Sequence, residues 1–320
     1  MKHVKLVDYF AKIKFDLSVF QALLASDRAE ALKQLYCAHL KAFPYSNFEI
    51  RQAAHQHPVE RASLTFFNHD RLMREGGYCY QTNALLYSVL VQLEFKPIFC
   101  EARVLIGAPV NDPKIFDSPA SHVVLVVPIE DQQFFLEPAM GMQAPRYPIP
   151  VKDSKVPIIQ GKDEFRLYKQ DGVFVLEKKL KDSWFTLMQS TFVETSEEHL
   201  QKNLLKLERF PNLISIRDEK TLVAIVTDKG SKALFWDVHS KKLKFMQQED
   251  EVFTQVVLDD WDKAQKLLSS EFNIEGISVE QLKFYCSAVN LPKPKRRWEI
   301  DFPIQDKDLE LMKENLTYSP

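Results

Sequence analysis

The chain has 320 residues, 45 % of them apolar and 27 % charged, and a net charge of −2. That length asks for more than one packed core, and the near-neutral charge gives no global field for nucleic acid or an anionic membrane. No apolar run approaches the roughly 20 residues of a membrane span, and Met1-Lys2-His3-Val4-Lys5 leads into charged residues without a signal-peptide pattern. The four cysteines, Cys37, Cys79, Cys100 and Cys286, have neither disulfide-scaffold nor zinc-finger spacing, so a reducing cytoplasm and no metal are expected.

In chain order, Asp27 and Glu30 form a capping-box pattern ahead of Leu32, Leu35, Tyr36, His39, Leu40 and Phe43. This is an apolar stripe at helical spacing, ended by Pro44, and His39 within it reads as a packed core histidine. A second helix is predicted to begin at Cys79, with Leu85, Leu86, Val89, Leu90 and Leu93 on one face. From Lys96 the pattern changes to β-rich runs at Pro97–Ile106, Ser121–Ile129, Gln133–Leu136, Phe165–Tyr168, Val173–Leu180 and Trp184–Met188. Their close succession predicts an antiparallel barrel or sandwich. A helix is expected over Ser196–Leu207, then short strands at Leu213–Ile216, Leu222–Val226, Ala233–Trp236 and Leu243–Met246. A last helix carries Leu258, Trp261, Leu267 and Leu268, and Lys293-Pro294-Lys295-Arg296-Arg297 reads as a solvated basic linker.

Glycine is the informative scarcity. Only 8 occur in 320 residues, against a usual share of about 7 %. In such a chain the single pair Gly76-Gly77 marks backbone that a side chain would obstruct. Two residues later comes Cys79. A cysteine nucleophile needs a stabilised thiolate, a base, and a group that orients the base. Cys79 stands at a helix start, where the dipole favours an anion. His122 opens one strand and Glu137 closes the next, so antiparallel pairing could bring imidazole and carboxylate together. The spacing permits the triad without proving it. Each residue also has an ordinary reading: a buried thiol, a strand cap and a solvated strand-end charge.

The same residues resemble the arylamine N-acetyltransferase family, over about Tyr9 to Ile277. Tyr9-Phe10-Ala11-Lys12-Ile13 is similar to the family's Tyr-Phe-x-Arg-Ile, and His39-Leu40-Lys41-Ala42-Phe43-Pro44-Tyr45-Ser46-Asn47-Phe48 to its His-x-x-x-Ile-Pro-Phe-Glu-Asn-Leu. Gly76-Gly77-Tyr78-Cys79-Tyr80-Gln81-Thr82-Asn83 resembles the segment around the family's nucleophile. Ala102-Arg103-Val104, the strand opened by His122, and Leu136-Glu137-Pro138-Ala139-Met140-Gly141 follow in the family's order. The resemblance implies an α+β, cysteine-protease-like fold in parts: a helical bundle with the nucleophile (1–94), an antiparallel β-barrel with the histidine and carboxylate (95–195), an α/β lid (196–290) and a tail (291–320). It also implies acetyl-coenzyme A as donor, an aromatic amine or hydrazine as acceptor, and a Cys79 thioester in a ping-pong reaction. Gly141 and Ser118 align with positions bordering the coenzyme.

Several residues depart from the family pattern. Glu137 replaces an aspartate, and Ala139-Met140-Gly141 replaces Gly-Phe-Gly. Ser46, Glu75 and Gln81 stand where the family has Glu, Arg and Glu, at the same net charge. They imply a rebuilt support in which the Glu75 carboxylate takes two neutral hydrogen-bond partners. A cysteine hydrolase or amidase using the same triad, and an altered interaction module, are the alternative readings. Retention of nucleophile, base and carboxylate favours catalysis over the interaction module.

Overall fold

A computed structural model describes residues 4–56, 68–116, 119–210, 214–250 and 252–289. The chain opens with α1 (Leu6–Lys12), α2 (Leu17–Ser26), α3 (Arg28–Ala42), a two-residue β1 (Tyr45–Ser46), α4 (Phe48–Ala54), α5 (His69–Glu75) and α6 (Cys79–Gln92). Then come β2 (Ile98–Val104), α7 (Pro113–Phe116), β3 (His122–Ile129), β4 (Gln132–Leu136), a 3-10 turn at Gly141–Gln143, β5 (Ile149–Pro150), β6 (Ser154–Gln160), β7 (Asp163–Gln170), β8 (Val173–Leu180) and β9 (Ser183–Glu194). The described C-terminal part holds α8 (Glu197–Arg209), α9 (Ser215–Asp218), β10 (Lys220–Val226), β11 (Gly230–Asp237), β12 (Leu243–Glu249), β13 (Val252–Leu258), α10 (Trp261–Phe272) and α11 (Val279–Tyr285).

The expected α+β class holds. Eight strands form one antiparallel, barrel-like sheet in the order β5-β4-β3-β2-β9-β8-β7-β6, and five form a second in the order β1-β10-β11-β12-β13. β3 explains why the helices and the large sheet lock together. Its residues alternate between two cores: Val123, Leu125 and Val127 pack with the helices, whereas Val124 and Val126 pack inside the sheet. Both faces are therefore buried, as expected of an unbroken Val/Leu run. A third core joins β10, β11 and β12 to α10 and α11.

Two sequence expectations are corrected. The run Leu213–Ile216 is not a strand over its described part; Ser215–Asp218 is a helical turn. Its start is held by the Asp218 carboxylate, which accepts from the Ile214 N–H at 2.8 Å, and local side-chain capping overrides β propensity there. Leu258 belongs to β13, pairing with Leu243; the helix begins at Trp261, where Asp260 accepts from the N–H groups of Asp262 and Lys263. The capping box at the start of α3 is half made. Asp27 accepts from the Glu30 N–H at 2.9 Å, but the Glu30 side chain turns to Lys33 and Gln34. The basic run 293–297 lies outside the described residues. No helix among the described residues is long and apolar enough to cross a membrane.

The Gly76-Gly77 pair joins the parts. Gly76 ends α5 at φ 65° with its N–H on the Leu72 carbonyl. The Gly77 N–H donates to the Pro44 carbonyl at 3.2 Å, and Ser46 N–H donates to the Gly77 carbonyl at 3.0 Å. Residues 45 and 46 then pair on their other side with Ala224 and Val223 of β10. A Cβ on Gly76 would lie 2.1 Å from the Pro44 carbonyl oxygen, backbone against backbone. Gly76→Ala therefore combines positive-φ strain with a clash that no rotamer relieves, and should lower stability by at least about 2 kcal/mol in urea unfolding.

Candidate active site

The turn at Gly76-Gly77 delivers Cys79 to the first position of the 14-residue α6. The thiol is buried, and its sulfur lies 3.7 Å from the Ser121 carbonyl, immediately before His122. His122 Nε2 hydrogen-bonds Glu137 Oε2 at 2.5 Å, with both side chains almost wholly buried. The ring's other nitrogen, Nδ1, is left for Cys79, whose thiol hydrogen-bonds the imidazole. Burial works against charge on His122, but the Glu137 carboxylate and then Cys79 outweigh it and push its pKa up to about 10. A histidine so placed holds its proton at neutral pH, as a thiolate–imidazolium couple requires.

Glu137 is anchored at both ends of its side chain's reach. It stands one residue beyond Leu136, which pairs with Leu125 of β3. Its Oε1 accepts from the Ala139 N–H at 2.8 Å, and its own N–H donates to the Tyr36 hydroxyl at 3.3 Å. Tyr36 in turn donates to the Pro145 carbonyl. With one oxygen fixed by backbone and the other by His122, the longer arm of Glu is fully committed to orienting the ring.

The residues that set the distance between α6 and β3 were not assigned a role from sequence. Asn83, one turn after the cysteine, donates to both the Cys79 carbonyl at 2.9 Å and the Val123 carbonyl at 3.0 Å. Tyr80 donates to the Ala120 carbonyl, which also accepts from Asn203 of α8. Asn83 carries a sequence signal, its place four residues after Cys79 in the quoted segment. Asn203 carries none, because its partners, Ala120 and Tyr80, are 83 and 123 positions away.

The expected support around Glu75 is rearranged. Ser46 donates to the backbone carbonyl of Glu75, at 3.0 Å, not to its carboxylate. That carboxylate accepts from Arg71 Nε at 3.1 Å, and Arg71 also pairs with Glu49 at 3.4 Å. Gln81 donates to the other oxygen of Glu49. The support is thus a carboxylate–guanidinium–carboxylate cluster and not a carboxylate with two neutral partners, with the cation one helical turn before Glu75 and one acid supplied by α4. Its parts lie on three elements, α4, α5 and α6, so spacing along the chain does not bring them together.

The remaining candidates separate. The described residues around Gly141 place it at φ 57°, and a Cβ there would meet the Ala224 side chain of β10 at 3.2 Å; the glycine permits close packing of the turn on the small sheet. Ser118 lies outside the described residues. Cys37, Cys100 and Cys286 are not placed for chemistry, since burial pushes their thiols up to about 11, 12 and 12. His39 is a core residue: its Nδ1 shares a hydrogen bond with the Tyr9 hydroxyl and burial lowers its pKa to about 3. Among the described residues no group of three or more His, Cys, Asp or Glu could hold a metal ion.

Comparison with known proteins follows the same outline. Residues 29–280 match the family model described as N-acetyltransferase. The chain is 23 % identical over 297 residues to the arylamine N-acetyltransferase liver isozyme of Gallus gallus, covering 83 % of this chain and 94 % of that protein. It is 25 % identical over 157 residues to the arylamine N-acetyltransferase / N-hydroxyarylamine O-acetyltransferase of Salmonella typhimurium, covering 48 % of this chain and 52 % of that protein, so that match spans about half of the relative's length. The solved Mycobacterium marinum arylamine N-acetyltransferase in complex with CoA superposes with a TM-score of 0.71 at 19 % identity, over 89 % of this chain and all of that one.

Two measurements test this geometry. Because the folded His122 pKa is raised to about 10 from 6.5, its contribution to stability is fully present below about pH 6.5 and is lost as pH rises through about 10. The stability gap between the wild type and His122→Gln should shrink across that window. Glu137→Gln removes the carboxylate that raises the imidazole's pKa, so the alkylation-versus-pH profile of Cys79 should move to higher pH; an unchanged profile would mean that Glu137 does not act on the pair. Separately, Arg71→Met leaves Glu49 and Glu75 facing each other and should cost about 2 kcal/mol in unfolding experiments, part of it recovered in Arg71→Met/Glu75→Gln.

Proposed function

The chain belongs to the N-acetyltransferase family, an acyltransferase family with arylamine N-acetyltransferases among its members, and on that premise we propose that it transfers an acetyl group from acetyl-coenzyme A to an aromatic amine or hydrazine through Cys79. The Cys79 thiolate attacks the thioester carbonyl of the donor. A new Sγ–C bond forms, the bond to coenzyme A sulfur breaks, and the leaving sulfur takes the proton held by His122. The amine then attacks the Cys79 thioester, the Sγ–C bond breaks, and His122 takes the amine's proton, restoring the thiolate–imidazolium couple. Glu137 keeps the imidazole oriented and offsets its charge in both steps.

What supports this reading is a buried Cys79–His122–Glu137 line, with a 2.5 Å imidazole–carboxylate bond, in a chain of this family. The division into a nucleophile-bearing bundle (1–94), a barrel (95–195), a lid (196–290) and a tail (291–320) belongs to the same proposal. So does the assignment of Gly141, whose turn follows Glu137 closely, to the coenzyme. A free nucleophilic thiol further fits a reducing, cytoplasmic setting.

Incubation with acetyl-coenzyme A, without acceptor, should add about 42 Da, one acetyl in place of a proton, to the peptide containing Cys79. Cys79→Ala should show no adduct and no transfer while folding normally. Glu137→Asp should keep substantial transfer, and Glu137→Gln should lose at least about a hundredfold, the lower range for an oriented acid–base group. An adduct on another residue, or full activity in Cys79→Ala, would end this assignment.

A further inference from the structure

Beside α3, on residues other than the Tyr36 that contacts Glu137, lies a cavity of about 670 Å³ lined by Lys12, Lys14, Lys33 and Lys41, with Tyr147 and Asp228 among its other walls. We propose that this cavity binds a small polyphosphate anion, free or as part of a nucleotide.

The lysines come from two elements that folding brings together. Lys33 and Lys41 stand two turns apart on α3, while Lys12 ends α1 and Lys14 follows it. Asp228, the acid that lines the cavity, lies in the turn between β10 and β11 and pairs with Lys41 at 2.8 Å. Cations thus outnumber anions on these walls, and a concave low-dielectric surface focuses such a field. The existing partners are weak competitors. The Lys41–Asp228 and Lys33–Glu30 pairs are solvent-exposed, and exposed pairs are worth only about 0–1 kcal/mol. Lys12 donates to the Asn273 carbonyl at 3.3 Å, a bond that leaves two of its three protons for a ligand. Burial disfavours charge on Lys12, Glu275 favours it and Lys14 opposes it; an anion between the two lysines would relieve that opposition.

The volume lies within the range of small-molecule sites, and several ammonium groups around one space suit a chain of phosphates better than a single carboxylate. The Tyr147 ring offers a surface for a base, with Lys33 Nζ 5.5 Å from its centroid. None of Cys79, His122 and Glu137 lines the cavity, so the inference does not rest on the catalytic reading.

Titration calorimetry on the full chain with sodium tripolyphosphate and with ATP tests the proposal. Saturable one-to-one binding that weakens with added salt is expected for at least one of them, and at least about tenfold weaker binding for Lys14→Ala/Lys33→Ala. Tighter binding of ATP, lost in Tyr147→Ala, would identify a nucleotide as the ligand; equal affinities would identify the phosphate chain alone. Should the double variant not fold, lysine acylation footprinting of the wild type replaces it, with Lys14 and Lys33 protected by the ligand. Absence of saturable binding, unchanged affinity in the folded double variant, or protection of other lysines only would each overturn it.

Discussion

Everything that matters for the site passes through one close backbone approach. At Gly76-Gly77 the chain runs so near Pro44 that a side chain cannot be accommodated, and the hydrogen bonds made there hold β1 on one side and start α6 on the other. β1 is also the edge of the five-stranded sheet. The same few residues therefore fix the start of the helix that carries Cys79 and the docking of the five-stranded sheet. Elsewhere positive φ is met by other residues, among them Lys14, Glu94 and Asn273; at Gly76 the missing room for a Cβ requires glycine, at a cost in unfolded-chain entropy. That cost is offset by joining three elements at one point.

The electrostatic design follows from burial. A carboxylate and an imidazole removed from water must find partners, or one of them gives up its charge. Glu137 does so with one oxygen on backbone and one on His122, and His122 is raised to about 10 as a result. The arrangement leaves one ring nitrogen for Cys79. Behind the turn, Glu49, Arg71 and Glu75 solve the same problem differently, with a guanidinium shared by two acids. Its planar fork suits that role in a way an ammonium would not.

α3 separates two surfaces of different character. Its Tyr36 side reaches Glu137 and the loop at Pro145, whereas its Lys33 and Lys41 side walls the basic cavity. Cys37, between them, hydrogen-bonds the Arg146 carbonyl next to Tyr147. One rigid helix and one short loop thus border both the carboxylate and the cavity, which places the two within a single packed layer while keeping them chemically distinct.

The local sequence by itself determined the helix beginning at Cys79, the stop at Pro44, most strands of the large sheet, and the need for glycine at Gly76-Gly77. These depend on periodicity, capping and excluded volume, which act over a few residues. It also brought Cys79, His122 and Glu137 forward as chemically suitable, though only as possible neighbours. Their meeting was decided by tertiary structure, since it depends on strand register and on Asn83 and Asn203 bridging α6, β3 and α8. The helical turn at Ser215–Asp218, the short β1 and the bridging Arg71 were likewise hidden. Each is set by partners distant in the chain or by side-chain capping that competes with propensity, and neither leaves a periodic trace.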